Sequence, residues 1–234
     1  MTSAIMHEIH INERETPQLV AEALRDNVVM VQMPTVYVLI APASSEGAER
    51  LNGTKVRQPN KNYGTALGSL EDFYDMAIPG SLPDELNSIE AFKALTGSFI
   101  RMSVADQDVN TVMVRGGTHQ GLLLEGAHRE LFRYVEDATR DLADPSIVGG
   151  HRFAAPLCTS ANVSGDPEGS ITDWERAWNF GKSRKVPLVV RCDETPSELG
   201  SYPIFWLKDD SISVERDGPG LDRVKAVLPS RLFH

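Results

Sequence analysis

Apolar residues along this chain recur in two rhythms, one near four residues and one of two. After Thr16-Pro17, the residues Leu19, Val20, Ala23 and Leu24 fall at helical spacing. They predict a short helix with Thr16 as N-cap and proline at its first position, ending near Asn27. VVMVQM (28–33) and VYVLIA (36–41) are β-branched runs that predict two strand pieces. Pro34-Thr35 bends the chain between them, because proline cannot donate to a ladder. SSEGAERL (44–51) predicts a helix capped by Ser44 or Ser45, and it leads into NGTKVRQPNKNYG (52–64), whose Asn, Gly and Pro content reads as loop.

The second half of the pattern is similar. Residues 65–70 predict a short strand, IPGSLPDELNS (78–88) a loop, and SIEAFKAL a helix capped by Ser88. SFIRMSV (98–104) and NTVMVR (110–115) predict strands joined by the turn DQDVN. Residues 126–142 carry helical periodicity through Leu131, Tyr134, Val135 and Ala138. A helix near 174–180, strands VPLVVR, PIFWL and SISVER, and a last helix through Leu221, Val224 and Val227 complete the chain. Strands and helices interleave without strict βαβ alternation, which predicts an α/β fold with a mixed sheet and helices packed on it. With no internal repeat, the 234 residues (1–234) read as a single domain.

Composition narrows the function classes. Apolar residues make up 41 % and charged residues 24 %, which fits a globular core. The longest apolar run is broken by Gln32 and Pro34 and is too short for a membrane helix. The first fifteen residues lack the basic flank and sustained apolar stretch of a secretory signal, so a cytoplasmic location is expected. Two cysteines, Cys158 and Cys192, have neither disulfide-framework nor zinc spacing. A net charge of −10 argues against a broad nucleic-acid surface and leaves room only for a local basic pocket. Neither GxGxxG nor GxxxxGK[ST] occurs, so the common glycine-rich phosphate loops are absent.

Two stretches carry candidate chemistry. In an extended loop, Lys55 and Arg57 would point the same way and present an ammonium beside a guanidinium, with Lys61 just beyond. Such a pair suits a ligand with several negative oxygens, and it equally suits a solvated surface loop. PLCTSANVSG (156–165) reads as a second loop. Thr159, Ser160, Asn162 and Ser164 each donate and accept hydrogen bonds there, and Gly165 lets the backbone approach a ligand. The stretch fits a phosphate-holding nest or an ordinary Asx or Ser/Thr turn ahead of the next helix. His119 near a strand end reads as a hydrogen-bonding residue rather than a general base, Trp174 and Trp178 as core, and the carboxylates of EDATRDLAD as a solvated helix face.

Taken in order, PTVYVL (34–39), KVR (55–57), TVMVRGGTH (111–119), PLCTSANVSG and VERDG (214–218) resemble the signature blocks of the YrdC-like threonylcarbamoyl-AMP synthase family. The family patterns run PTDTVYGL, KxR, VRxPxH, P(L)xxTSANxSG and a terminal RxG. TSANVSG is the specific block, and the resemblance covers about residues 19–220.

The resemblance implies a YrdC-like α/β fold, a twisted mixed sheet with packed helices around a large basic cavity. It also implies condensation of L-threonine, bicarbonate and ATP, with Mg2+, into threonylcarbamoyl-adenylate for tRNA modification. By carry-over Lys55 and Arg57 would be the catalytic pair and hold the triphosphate. Arg115, Thr159, Ser160, Asn162 and Arg216 would complete the nucleotide site, with Thr35, Tyr37 and Ser201 on the substrate side. Contact with RNA would run through the basic cavity.

This chain departs from the family in places. Val38 stands at the glycine of PTDTVYGL, whose acidic position is unmatched, and Gly117 stands at the proline of VRxPxH. In SYPIFWL, Ser201 is kept, but Tyr202 and Trp206 occupy the threonine and aspartate places of the family's Ser-Thr-apolar-apolar-Asp block. These changes favour a divergent carbamoyl- or acyl-adenylate enzyme, or a non-catalytic nucleotide- or RNA-binding module, over the standard synthase.

Overall fold

The alternating runs do form strands. In the computed structural model, which describes residues 6–56, 62–194 and 198–233, VMVQ is β2 (Val29–Gln32) and YVLIA is β3 (Tyr37–Ala41). The two pair antiparallel across Pro34-Thr35, with Val31 opposite Val38. The other strands are β1 (His7–His10), β4 (Gly64–Leu67), β5 (Phe99–Ser103), β6 (Thr118–Leu123), β7 (Leu157–Ser160), β8 (Leu188–Arg191), β9 (Ile204–Leu207) and β10 (Ile212–Arg216). Together they make one mixed sheet in the order β1-β8-β2-β3-β7-β4-β6-β5-β9-β10.

Helices follow the four-residue rhythm: α1 (Thr16–Asp26), α2 (Ser45–Lys55), α3 (Leu70–Tyr74), α4 (Ile89–Lys93), α5 (Gly126–Ala138), α6 (Trp174–Ser183) and α7 (Leu221–Val227). Ser44, Ser69, Ser88 and Asp173 cap α2, α3, α4 and α6 by accepting a backbone N–H three residues on. The sheet separates two apolar clusters. Val20 and Leu24 of α1 and Leu131, Phe132 and Val135 of α5 bury against Val29, Val31, Val38 and Ile40. On the opposite face Leu51 of α2, Phe92 of α4 and Ala177 of α6 join Met30, Leu39 and Phe205. No described helix is long and apolar enough to cross a membrane.

Several elements differ from the sequence expectation. Thr16 lies inside α1 rather than capping it, and its Oγ1 donates to the His10 carbonyl at 2.6 Å. β1 and α3 have patterns too short to read. The expected strand NTVMVR is a turn, because Thr111 Oγ1 accepts from the Met113 and Val114 amides at 3.1 and 2.9 Å, while Asn62 donates to the Thr111 and Val114 carbonyls. Side chains thereby take the groups a ladder would use. The strand begins three residues after Arg115, beyond Gly116 and Gly117 at φ 54° and 72°. α5 stops at Ala138, short of Leu142, where Thr139 Oγ1 donates back to the Val135 carbonyl.

Two corrections bear on the candidate site. α2 runs through Asn52 to Lys55, so the loop expected from residue 52 begins later. Leu157–Ser160, read as loop, is the strand β7, bonded to β3 on one side and β4 on the other. The Ser, Asn and Gly that follow read as turn residues, but two flanking strands decide the backbone of Leu157–Ser160.

Candidate functional site

Side chains two apart on a strand share a face, and cross-strand partners in register share it too. Val38 lies opposite Ser160, and Cys158 lies opposite Gly64. Arg101 lies opposite Gln120, Ile204 beside Phe99, and Arg216 opposite Ile204. These residues floor a cavity of about 340 Å³. Gly64 keeps the floor open, because a β-carbon there would sit 2.8 Å from Phe99 Cε1 and 3.0 Å from Gln120 Nε2.

The wall is built where α2 meets the end of β7. Lys55 is 4 % exposed, and its Nζ donates to the Ser160 carbonyl at 2.5 Å, Ser160 Oγ at 3.1 Å and Asn162 Oδ1 at 2.7 Å. Ser160 Oγ in turn donates to Asn162 Oδ1 at 2.7 Å. These three acceptors are neutral groups that fix the position of the ammonium. Immediately after Lys55 the backbone turns left-handed at Val56, φ 49°, a conformation disfavoured for a β-branched residue. Beneath them the buried Cys158 thiol is pushed up to about 12 by desolvation, against the opposing pull of Lys55 and Arg216, and stays neutral.

Three arginines complete the lining. Arg101 is neutralised by Glu215 at 2.9 Å and also donates to Gln120 Oε1 at 3.2 Å. Arg216 donates through Nε and Nη2 to the Tyr202 carbonyl at 2.9 and 2.6 Å and has no acidic partner among the described residues. The residue is exposed, yet surrounding protein desolvates the guanidinium and lowers its pKa, which still leaves an arginine charged. Arg115 is exposed at the rim. No aspartate or glutamate is among the described lining residues. Such a surface attracts and desolvates an anion.

Of the residues picked out in the sequence, Lys55, Arg115, Thr159, Ser160, Asn162, Ser201 and Arg216 all line this cavity. Ser201 Oγ is 2.7 Å from Ser170 Oγ. Arg57 and Lys61 lie outside the described residues, and Lys55 is the last residue of α2 rather than part of an extended loop. Tyr37 is not brought to the cavity. Adjacent to Val38 on β3, it faces the other side of the sheet, buried with its ring 6.4 Å from Trp174. Thr35 lines a neighbouring cavity and donates to the Gly200 carbonyl at 2.8 Å.

His119 is buried: its Nδ1 donates to the Met113 carbonyl at 3.1 Å and its Nε2 accepts from Thr65 Oγ1 at 3.0 Å. Sequence reasoning missed Arg101, Thr118 and Gln120. The signal was present, since SFIRMSV places an arginine on the same face as Phe99 in the middle of a strand.

No protein-family model and no curated protein sequence matches the chain. Solved structures do. The structure of P. abyssi Sua5 complexed with L-threonine is similar with a TM-score of 0.71 at 18 % identity, over 98 % of this chain and 62 % of that one. E. coli YciO matches with a TM-score of 0.63 at 16 % identity, over 92 % and 96 % of the two chains. Full-length HypF in its phosphate- and nucleotide-bound form matches at 0.59 and 16 % identity, over 88 % of this chain and 29 % of that one. This chain spans less than two thirds of the length of the Sua5 chains it matches. The fold is therefore the YrdC-like α/β architecture, at a level of identity that speaks for the fold alone.

Proposed function

We propose that the cavity holds the phosphate groups of ATP and that the chain forms a carbamoyl-type adenylate, with L-threonine and bicarbonate as the co-substrates. The supporting observation is the acid-free lining in which Lys55, fixed by Ser160 and Asn162, faces the same space as Arg115 and Arg216. In this reaction an oxygen of the carbamate attacks the α-phosphorus, the α–β bridging bond breaks, and pyrophosphate leaves with the bond's electrons. Lys55 and Arg216, held by hydrogen bonds, with Arg115 at the rim, favour that step by stabilising charge that moves onto the leaving group. Holding the chain of phosphates in one orientation contributes the rest. Magnesium would enter with the triphosphate, since no carboxylate is among the described lining residues, and no step here is assigned to it.

Thr35 and Tyr37, turned away from the cavity, favour a second reading in which the acyl or carbamoyl partner is not threonine. Purified protein incubated with ATP, magnesium, bicarbonate and L-threonine separates the two. Release of pyrophosphate and appearance of the adenylate only when threonine is present supports the first reading. Saturable ATP binding without threonine-dependent turnover contradicts it and leaves the second.

A further inference from the structure

A second cavity of about 620 Å³ opens where the turn after β8 and the segment leading into α7 meet the start of α5. Its described lining carries five carboxylates, Glu125, Glu194, Glu198, Asp217 and Asp222. Against them stands one arginine, Arg223, whose guanidinium donates to the Thr96 carbonyl. None of the five is paired with a lysine or arginine among the described residues.

A buried imidazole faces the same space. His128, 1 % exposed, lies in the first turn of α5, and its Nε2 is 2.8 Å from the Gln32 carbonyl oxygen. A carbonyl only accepts, so Nε2 carries the hydrogen. Desolvation lowers the pKa of the imidazole, against the opposing pull of the Gln32 carbonyl and Glu194. The neutral ring therefore keeps a lone pair at Nδ1, and Glu194 Oε1 stands 3.8 Å from that atom. The separation is too long for a hydrogen bond, and both atoms are acceptors. Gln32 anchors both sides of the pair, because its Oε1 also accepts from Arg191 Nε and from the Cys192 amide, two residues before Glu194.

We propose that this cavity binds a small organic polyamine, one ammonium of which donates to His128 Nδ1 and Glu194 together. An ammonium nitrogen at the usual hydrogen-bond length of about 2.9 Å reaches both acceptors from between them. The other carboxylates match further ammonium groups, and Leu123, Leu124 and Leu221 on the same lining suit the methylene links. Among the described residues no three His, Cys, Asp or Glu side chains converge closely enough to hold a metal ion, so the negative lining fits an extended cation rather than a bare one. The amine site and the phosphate site are cavities of opposite sign, and neither requires the other.

Spermidine titrated by calorimetry at neutral pH into the wild-type chain, Glu194→Gln, His128→Phe and Glu49→Gln tests the site. Glu49, exposed on α2, supplies the same loss of charge away from the cavity. Saturable binding is expected in the wild type and Glu49→Gln alike, weakened about tenfold in Glu194→Gln and in His128→Phe, whose ring keeps the bulk but not the lone pair. Magnesium at matched ionic strength should leave the spermidine affinity unchanged. Equal losses in Glu194→Gln and Glu49→Gln would show attraction to net charge alone and overturn the site. An unchanged affinity in Glu194→Gln overturns it too, whether or not His128→Phe folds, and displacement of spermidine by magnesium overturns the choice of an organic ligand.

Discussion

Lys55 illustrates how one residue's role changes between sequence and structure. In the sequence it is half of a Lys-x-Arg pair, and its charge is the informative property. In the fold its three donors meet Ser160 O, Ser160 Oγ and Asn162 Oδ1, so it also joins the end of α2 to the turn after β7. The TSAN stretch was legible because its residue types are unusual together. Tyr37 lies on the face opposite Val38 because a one-residue step along β3 reverses the face, and no local pattern says which face carries which cavity.

His119 carries a prediction at the same scale. Desolvation lowers its pKa from 6.5 to about 4, only partly opposed by the Met113 carbonyl. A base depressed on folding contributes stability that is fully present above its unfolded pKa and is lost as pH falls through the folded one. Denaturant unfolding of the wild type should therefore lose on the order of 3 kcal/mol between pH 6.5 and 4 relative to His119→Gln. Parallel pH profiles for the two proteins would show that the imidazole is not held neutral.

At the scale of elements, long periodic runs such as α1, α5 and the β2–β3 pair were legible, while β6 and β7 were not. β6 reads THQGLL, a polar start that gives no two-residue alternation, and it becomes a strand because β4 and β5 flank it. β7 is decided in the same way by β3 and β4. Both lie at the cavity floor, where the side chains facing a ligand cannot also be the apolar ones that mark a strand.

The end of α2 is strained for a related reason: Val56 holds a left-handed backbone where glycine is usual, next to the buried Lys55. Val56→Gly should raise stability by about 1 kcal/mol through relief of this conformation, offset in part by the entropy of glycine in the unfolded chain. A fall in melting temperature in that variant would mean that the valine is not strained.

For the whole molecule, the sheet explains how a chain of net charge −10 can carry a cavity lined by cations. Residues from β3, β7, β4, β6, β5, β9 and β10, distant in sequence, meet on one face, and no carboxylate is among the described residues that line the cavity there. Net charge governs the outer field, whereas a cleft with low-dielectric walls follows its own lining. Composition alone therefore argued only against a broad nucleic-acid surface; Lys55-Val56-Arg57 and the TSANVSG stretch each admitted an anionic ligand, and the signature blocks, taken in order, favoured one.

The central claim is that this lining is a phosphate site, and pyrophosphate titrated into wild type, Lys55→Met and Arg216→Gln tests it most directly. Saturable binding to the wild type, weakened by added salt and reduced about tenfold or more in each variant, is the predicted result. Equal pyrophosphate affinity in all three folded proteins would contradict it.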